Sequence, residues 1–213
     1  MFNASGHGRT QLRELLYQYN EYPERHDEIV ANIQRDFEQT VAILIMDACG
    51  FSRTVHEHGI VHFLALLERL WRLVGPLVVE FGGRPMREDA DNLYAIFPDA
   101  RSALQCAKAI HERVAIANEP LPASSEIYIA LGIGYGPLLL VGEDDAWGDE
   151  MNLACKLGED VAPGRRGAAD RGSAAVTRRR RHGHVRDAPN RSFRHDDDGV
   201  QARVLTSSAI HVP

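Results

Sequence analysis

Apolar residues recur at spacings of three and four early in the chain: Leu12, Leu15, Leu16 and Tyr19, then Ile29, Ile33 and Phe37. That period predicts helix over residues 9–37. Tyr22-Pro23 predicts a turn that divides it, because the residue before a proline is pushed out of the helical region. Residues 40–46 form an unbroken β-branched and apolar run, the expected first buried strand. The helical period returns over 61–81 and ends at Gly82-Gly83. Two short strands are expected at 84–87 and 93–97, joined through Asp89-Ala90-Asp91-Asn92. Residues 100–118 read as an Ala-rich amphipathic helix, 126–135 as an alternating strand, 138–141 as a continuation of the sheet, and 150–157 as the start of another helix. The order βααββαββα with short loops predicts an α/β (α+β) sandwich, with helices packed on a mostly antiparallel sheet.

Composition changes this picture little. Hydrophobic residues at 44% and charged residues at 25% are those of a soluble globular protein. Apolar runs such as 138–141 are far too short to cross a bilayer. Residues 1–10 lack the basic-then-apolar pattern of a secretory signal. Cys49, Cys106 and Cys155 sit in apolar stretches without metal-ligand spacing, which predicts reduced thiols in a cytoplasmic protein.

Charge changes it more. The formal net charge is −6, yet residues 160–213 hold eleven Arg and six Asp. Taking that +5 from the total leaves −11 on residues 1–159. An acidic body argues against general nucleic-acid binding, and the basic tail needs a separate explanation.

Two carboxylates are candidates for chemistry. Asp47 follows a hydrophobic strand in Asp47-Ala48-Cys49-Gly50-Phe51-Ser52, which places it at the strand's C-terminal edge, where ligands of α/β folds gather. Gly50 permits a tight turn, so a backbone carbonyl near Ala48 is a further candidate ligand. Asp91 lies at an expected hairpin tip. If the two strands are neighbours, both carboxylates converge on one site suited to Mg²⁺, which retains waters and takes phosphate oxygens. The plain alternative is that Asp47 caps the next helix and Asp91 serves a turn.

Taken together, three segments resemble the class III adenylate and guanylate cyclases over residues 41–160. Asp47 to Ser52 resembles the family's Asp-x-x-Gly-Phe-Ser. Gly82 to Phe97 is similar, in register, to Gly-Gly-x-x-x-Lys-x-x-Gly-Asp-Gly-x-x-Ala-x-Phe. Asp145 to Leu157 is similar to Asp-x-x-Gly-x-x-Val-Asn-x-Ala-x-Arg-Leu. Three ordered motifs are far more specific than one. The resemblance implies the ferredoxin-like nucleotide cyclase fold over 40–160, preceded by a helical extension over 1–39. It implies that Asp47, Ala48 and Asp91 hold two Mg²⁺ or Mn²⁺ ions, that Arg87 and Asp145 select the base, and that Asn152 and Lys156 act on the ribose and the transition state. The implied reaction makes a 3′,5′-cyclic nucleotide and pyrophosphate from a purine nucleoside triphosphate, ATP ahead of GTP, in intracellular signalling. The site would form across a homodimer.

The chain departs from the family at Arg87 for Lys, Lys156 for Arg, and Ala90 and Asn92 for the glycines flanking Asp91. Arg87 keeps the charge but adds a planar fork, and Lys156 loses bidentate phosphate contact. Two readings stay open: a cyclase with altered side-chain chemistry, or a catalytically degenerate domain kept for dimerisation or nucleotide sensing.

Other features carry less. His56, His58 and His62 do not fit a zinc-protease pattern, because Ile60 stands where a His is required, although His58 and His62 are expected to share a helix face. Gly132-Ile133-Gly134-Tyr135-Gly136 lacks a following Lys-Ser/Thr and reads as a strand packed closely against its partner. Trp147 is expected to pack beneath the nucleotide site.

Residues 161–213 form an Arg-rich tail without Glu or Lys, read as weakly ordered because neither period survives. Ala169 to Ser173 can be encoded so that a one-base shift reads Leu-Thr-Glu-Ala, close to the family's text. A frame change near Pro163 and a genuine basic arm for an acidic partner or nucleic acid are the two readings. With this tail the chain as written is expected to turn over weakly or not at all.

Overall fold

The computed structural model describes residues 8–161, 173–179 and 201–207, with side chains described over 8–156. The helical period of 9–37 becomes α1 (Arg9–Glu21) and α2 (His26–Phe37), separated by one 3-10 turn at Pro23–Arg25. The chain continues as β1 (Glu38–Cys49), α3 (Phe51–His58), α4 (Ile60–Glu80), β2 (Arg84–Asp89), β3 (Asn92–Phe97) and α5 (Ala100–Asn118). It ends as β4 (Tyr128–Val141), β5 (Asp145–Trp147), α6 (Asp149–Val161), β6 (Ser173–Arg179) and β7 (Gln201–Ser207).

The sheet order is β2-β3-β1-β4-β6-β7, with β5 also on β4. Strands β1 to β5 pair antiparallel, as expected. The central strand β1 explains the unbroken apolar run, since both of its faces are covered. Ala42, Leu44, Met46 and Ala48 join a core with Phe63, Leu67 and Leu70 of α4 and Cys106 and Ile110 of α5. Val41, Ile43 and Ile45 point the other way, toward Ala154 of α6 and Leu138 and Leu140 of β4. A third cluster seats α1 and α2 on the domain: Leu12, Ile29, Ile33 and Phe37 pack with Leu139 and Val141.

Several boundaries differ from the expectation, each because pairing outlasts the apolar period. Strand β1 runs past 46, so Asp47 lies inside it, held between β3 and β4. Residues 138–141 are the end of the long β4 rather than a strand of their own, and the next strand is the three-residue β5, too short to show a period. His58 ends α3 and His62 belongs to α4, so they do not share one helix; Gly59, at φ 83°, separates the two. Two parts of the tail are strands: β6 pairs parallel with β4, and β7 pairs parallel with β6. Their partners lie far off in sequence, so no local pattern announces them. The proposed frame change near Pro163 lies outside the described residues.

Candidate functional site

Asp47 and Asp91 reach the same sheet end by different routes. Side chains alternate along a strand, so Asp47 follows Val41, Ile43 and Ile45 onto the face that α6 covers. Asp47 stands opposite Asn92, the residue after Asp91. The amide of Ala48 donates to the Asp91 carbonyl at 3.0 Å, which ties the hairpin tip to the end of β1. Both aspartates are half-buried. Gly50, not Asp47, is the N-cap of α3, and no side chain bonds at that cap.

Both carboxylates also act on one neighbouring group. The Cys49 thiol is pushed up to about 12, first by burial and then by the charges of Asp47 and Asp91. Cys106, wholly buried, is likewise raised to about 12, by burial first and then by Glu80. All three cysteines are free thiols. The ordinary thiol value here is 9.0, so the folded chain holds protons that the unfolded chain releases between about 9 and about 12. Stability contributed by these thiols is therefore complete below about 9 and is lost as pH climbs toward about 12. A melting temperature followed through that window is expected to fall less steeply in a Cys49→Ser, Cys106→Ala double variant than in the parent.

The hairpin tip carries strain. Ala90 and Asp91 occupy the two central positions between Asp89 and Asn92, which pair with each other. Ala90 takes φ 53°, the only positive φ on a non-glycine among the described residues. A two-residue hairpin turn demands such a conformation, and a Cβ resists it. Ala90 thus holds a turn conformation that a glycine adopts without strain. Ala90→Gly is expected to raise the unfolding free energy by roughly 0.5–1 kcal/mol in urea titration.

Arg87 and Asp145 meet across 58 residues of sequence: Nη1 donates to Oδ1 at 2.9 Å. The Arg87 guanidinium also lies 4.6 Å over the Tyr94 ring, its cross-strand neighbour. Asp145 is buried, and its Oδ1 accepts a second bond from the Ala146 amide at 3.0 Å. Its Oδ2 accepts from Arg9 Nη2 at 3.0 Å. Nothing local in the sequence announces Arg9, since its partner is 136 residues away and no motif surrounds it.

Asn152 and Lys156 stand one turn apart on the exposed side of α6, opposite the wholly buried Ala154. Trp147, expected to lie beneath the site, is 60% exposed instead, because the short β5 ends at the sheet margin. A recess of about 260 Å³ between α5 and the start of β4, lined by His111, Asn118, Glu126 and Tyr128 among others, contains none of these site residues. Among the described residues no helix is long and apolar enough to cross a membrane.

The glycines of 132–136 explain how α6 is placed. Positions 132, 134 and 136 face that helix, and a Cβ at Gly132 would lie 2.0 Å from the Ala154 carbonyl oxygen. The expectation of a closely packed strand holds.

The chain is 31% identical over 123 residues to "Putative adenylate cyclase 3" of Rhizobium meliloti, a match covering 58% of this chain and 21% of that protein. It thus spans about a fifth of that curated relative's length. Among solved structures it is similar to the adenylate/guanylate cyclase/hydrolase of Silicibacter pomeroyi, at 28% identity and a TM-score of 0.51, over 58% of this chain and 71% of that one. It also matches a bacterial light-regulated adenylyl cyclase at 16% identity and a TM-score of 0.55, over 63% and 74% of the two chains, a likeness of fold alone. No protein-family model matches the chain. Sequence and fold together make this chain similar to the adenylate and guanylate cyclase domains.

Proposed function

We propose that the chain converts a purine nucleoside triphosphate, ATP ahead of GTP, to the 3′,5′-cyclic nucleotide and pyrophosphate. The observation that carries this reading is the meeting of Asp47 and Asp91 at one sheet end, joined through the Ala48–Asp91 backbone bond. Two half-buried carboxylates supply hard oxygen donors and leave positions for water and phosphate, which fits Mg²⁺ or Mn²⁺. Two such ions supply charge neutralisation on the triphosphate and a lowered pKa for the ribose 3′-hydroxyl.

The chain's own residues hold and orient. In the reaction the ribose 3′-hydroxyl gives its proton to solvent water and its oxygen bonds to the α-phosphorus. The bond from the α-phosphorus to the bridging oxygen breaks, and pyrophosphate leaves with the electron pair. Little covalent work falls to the protein, so positioning dominates. In this reading Asp145 accepts from a purine amino group, with Arg87 holding it from the side. Asn152 and Lys156 point away from their own sheet, which supports a homodimer in which they serve the partner's carboxylates. Lys156 contributes charge at the transition state as a single ammonium.

A second reading, a degenerate module that dimerises or senses nucleotide, is favoured by one observation: both oxygens of Asp145 are already engaged by arginines. Purified chain incubated with ATP or GTP and Mg²⁺ or Mn²⁺ decides between them. Metal-dependent cyclic nucleotide, slow for the chain as written, supports the cyclase. No product under any of the four conditions, with nucleotide still raising the melting temperature, supports the module.

A further inference from the structure

We propose that Arg9 competes with the purine for Asp145, so that the N-terminal helical hairpin acts as a latch on the base pocket. This rests on the reading of Asp145 as the base-selecting carboxylate. Two anchors put Arg9 there. It opens α1 one turn before Leu12, which is buried with Ile29, Ile33 and Phe37 against Leu139 and Val141 of β4. Val141 is in turn the strand partner of Asp145. The stretch of β4 that seats the hairpin therefore also positions the carboxylate.

Bond capacity makes the contact consequential. Each carboxylate oxygen accepts about two hydrogen bonds. Oδ1 of Asp145 already has Arg87 and the Ala146 amide, whereas Oδ2 has Arg9. A purine amino group must approach Oδ2, where it meets a charged donor. Both donors would bond an ionised carboxylate, but only the guanidinium adds the attraction of an opposite full charge, so it prevails until it is moved. The Asp145 side chain is only 7% exposed, which leaves little room for both donors. Arg9 is 58% exposed and on release returns to water at small cost. A displacement of α1 is then enough to free Oδ2, and nucleotide binding in turn expels Arg9. Linkage makes the two events reciprocal.

The test uses the full chain with Arg9→Ala and Arg9→Gln. Binding of 3′-deoxy-ATP with Mg²⁺, which lacks the attacking hydroxyl, is measured by titration beside KM and kcat for ATP. The latch predicts binding tighter by about three- to tenfold in both variants, a KM lowered to match, and an unchanged kcat. Binding undetectable in the parent but present in Arg9→Ala also supports it. Unchanged or weaker binding in both variants overturns it.

Asp145→Asn separates the two possible failures. If that substitution alters nucleotide affinity or the preference for ATP over GTP while the Arg9 variants do nothing, the latch alone is wrong. If Asp145→Asn and the Arg9 variants all leave both unchanged, the reading of Asp145 is wrong and the latch goes with it. With the latch in place, Arg9→Ala has no further effect once Asp145 is Asn.

Discussion

Asp47→Ala is expected to lower metal-dependent cyclic nucleotide formation at least ~10³-fold, beyond the loss from deleting one transition-state hydrogen-bond donor. The same substitution should abolish the rise in melting temperature that Mn²⁺ plus nucleotide gives the parent. That second readout survives even if turnover by the chain as written is slow. The fold should persist, because Asp47 is held by backbone pairing to both neighbouring strands and provides no cap for α3. Metal-free stability should hold or rise slightly. Asp47 and Asp91 bring two like charges to one sheet end, and removing one relieves repulsion when no cation is bound. Mn²⁺ titration followed by its paramagnetic signal, together with thermal unfolding, checks both halves. Equal Mn²⁺ affinity in Asp47→Ala and the parent would remove the metal site from the account.

Gly132→Ala is expected to cost about 3 kcal/mol or more, or to prevent folding altogether. The added methyl would fall 2.0 Å from the Ala154 carbonyl oxygen, and at Gly134 it would fall 2.3 Å from that of Glu150. These are backbone atoms of α6 and cannot rotate aside. The helix must lift from the sheet, or β4 must give up its pairing with β1. Either movement carries Asn152 and Lys156 with it, so nucleotide-dependent stabilisation should vanish even where the chain still folds. Gly75→Ala, where nothing lies within 4 Å of the new methyl, is the control. It should be neutral or stabilising by up to ~1 kcal/mol, as expected for glycine replaced inside a helix. Urea denaturation of both variants gives the comparison; equal midpoints would show that α6 does not depend on the glycine face.

Local periodicity made most of the fold legible. The break at Tyr22-Pro23, the helix Ala100–Asn118 and the β2–β3 pair all follow from spacing and from residues that disfavour helix. Strand ends were less legible. At Asp47 and at 138–141 the chain stays in the sheet because a partner strand is there, not because its own residues demand it. Strands β6 and β7 are the extreme case, since the pairing of β6 to β4 and of β7 to β6 involves no nearby sequence.

The same division runs through the site. A strand end and a hairpin tip singled out Asp47 and Asp91, whereas Arg87, Asp145, Asn152 and Lys156 came only from the resemblance to the cyclase motifs. The sequence by itself also determined that Gly132, Gly134 and Gly136 would bring something close to β4. Only the tertiary structure decided that α6 is what lies there, that Ala90 accepts a left-handed turn, and that Arg87 spends its charge on Asp145. It alone brought Arg9 to the same carboxylate. Periodicity arises within one turn or one pleat of the chain, whereas an ion pair between residues 136 apart arises only after the sheet has gathered both ends.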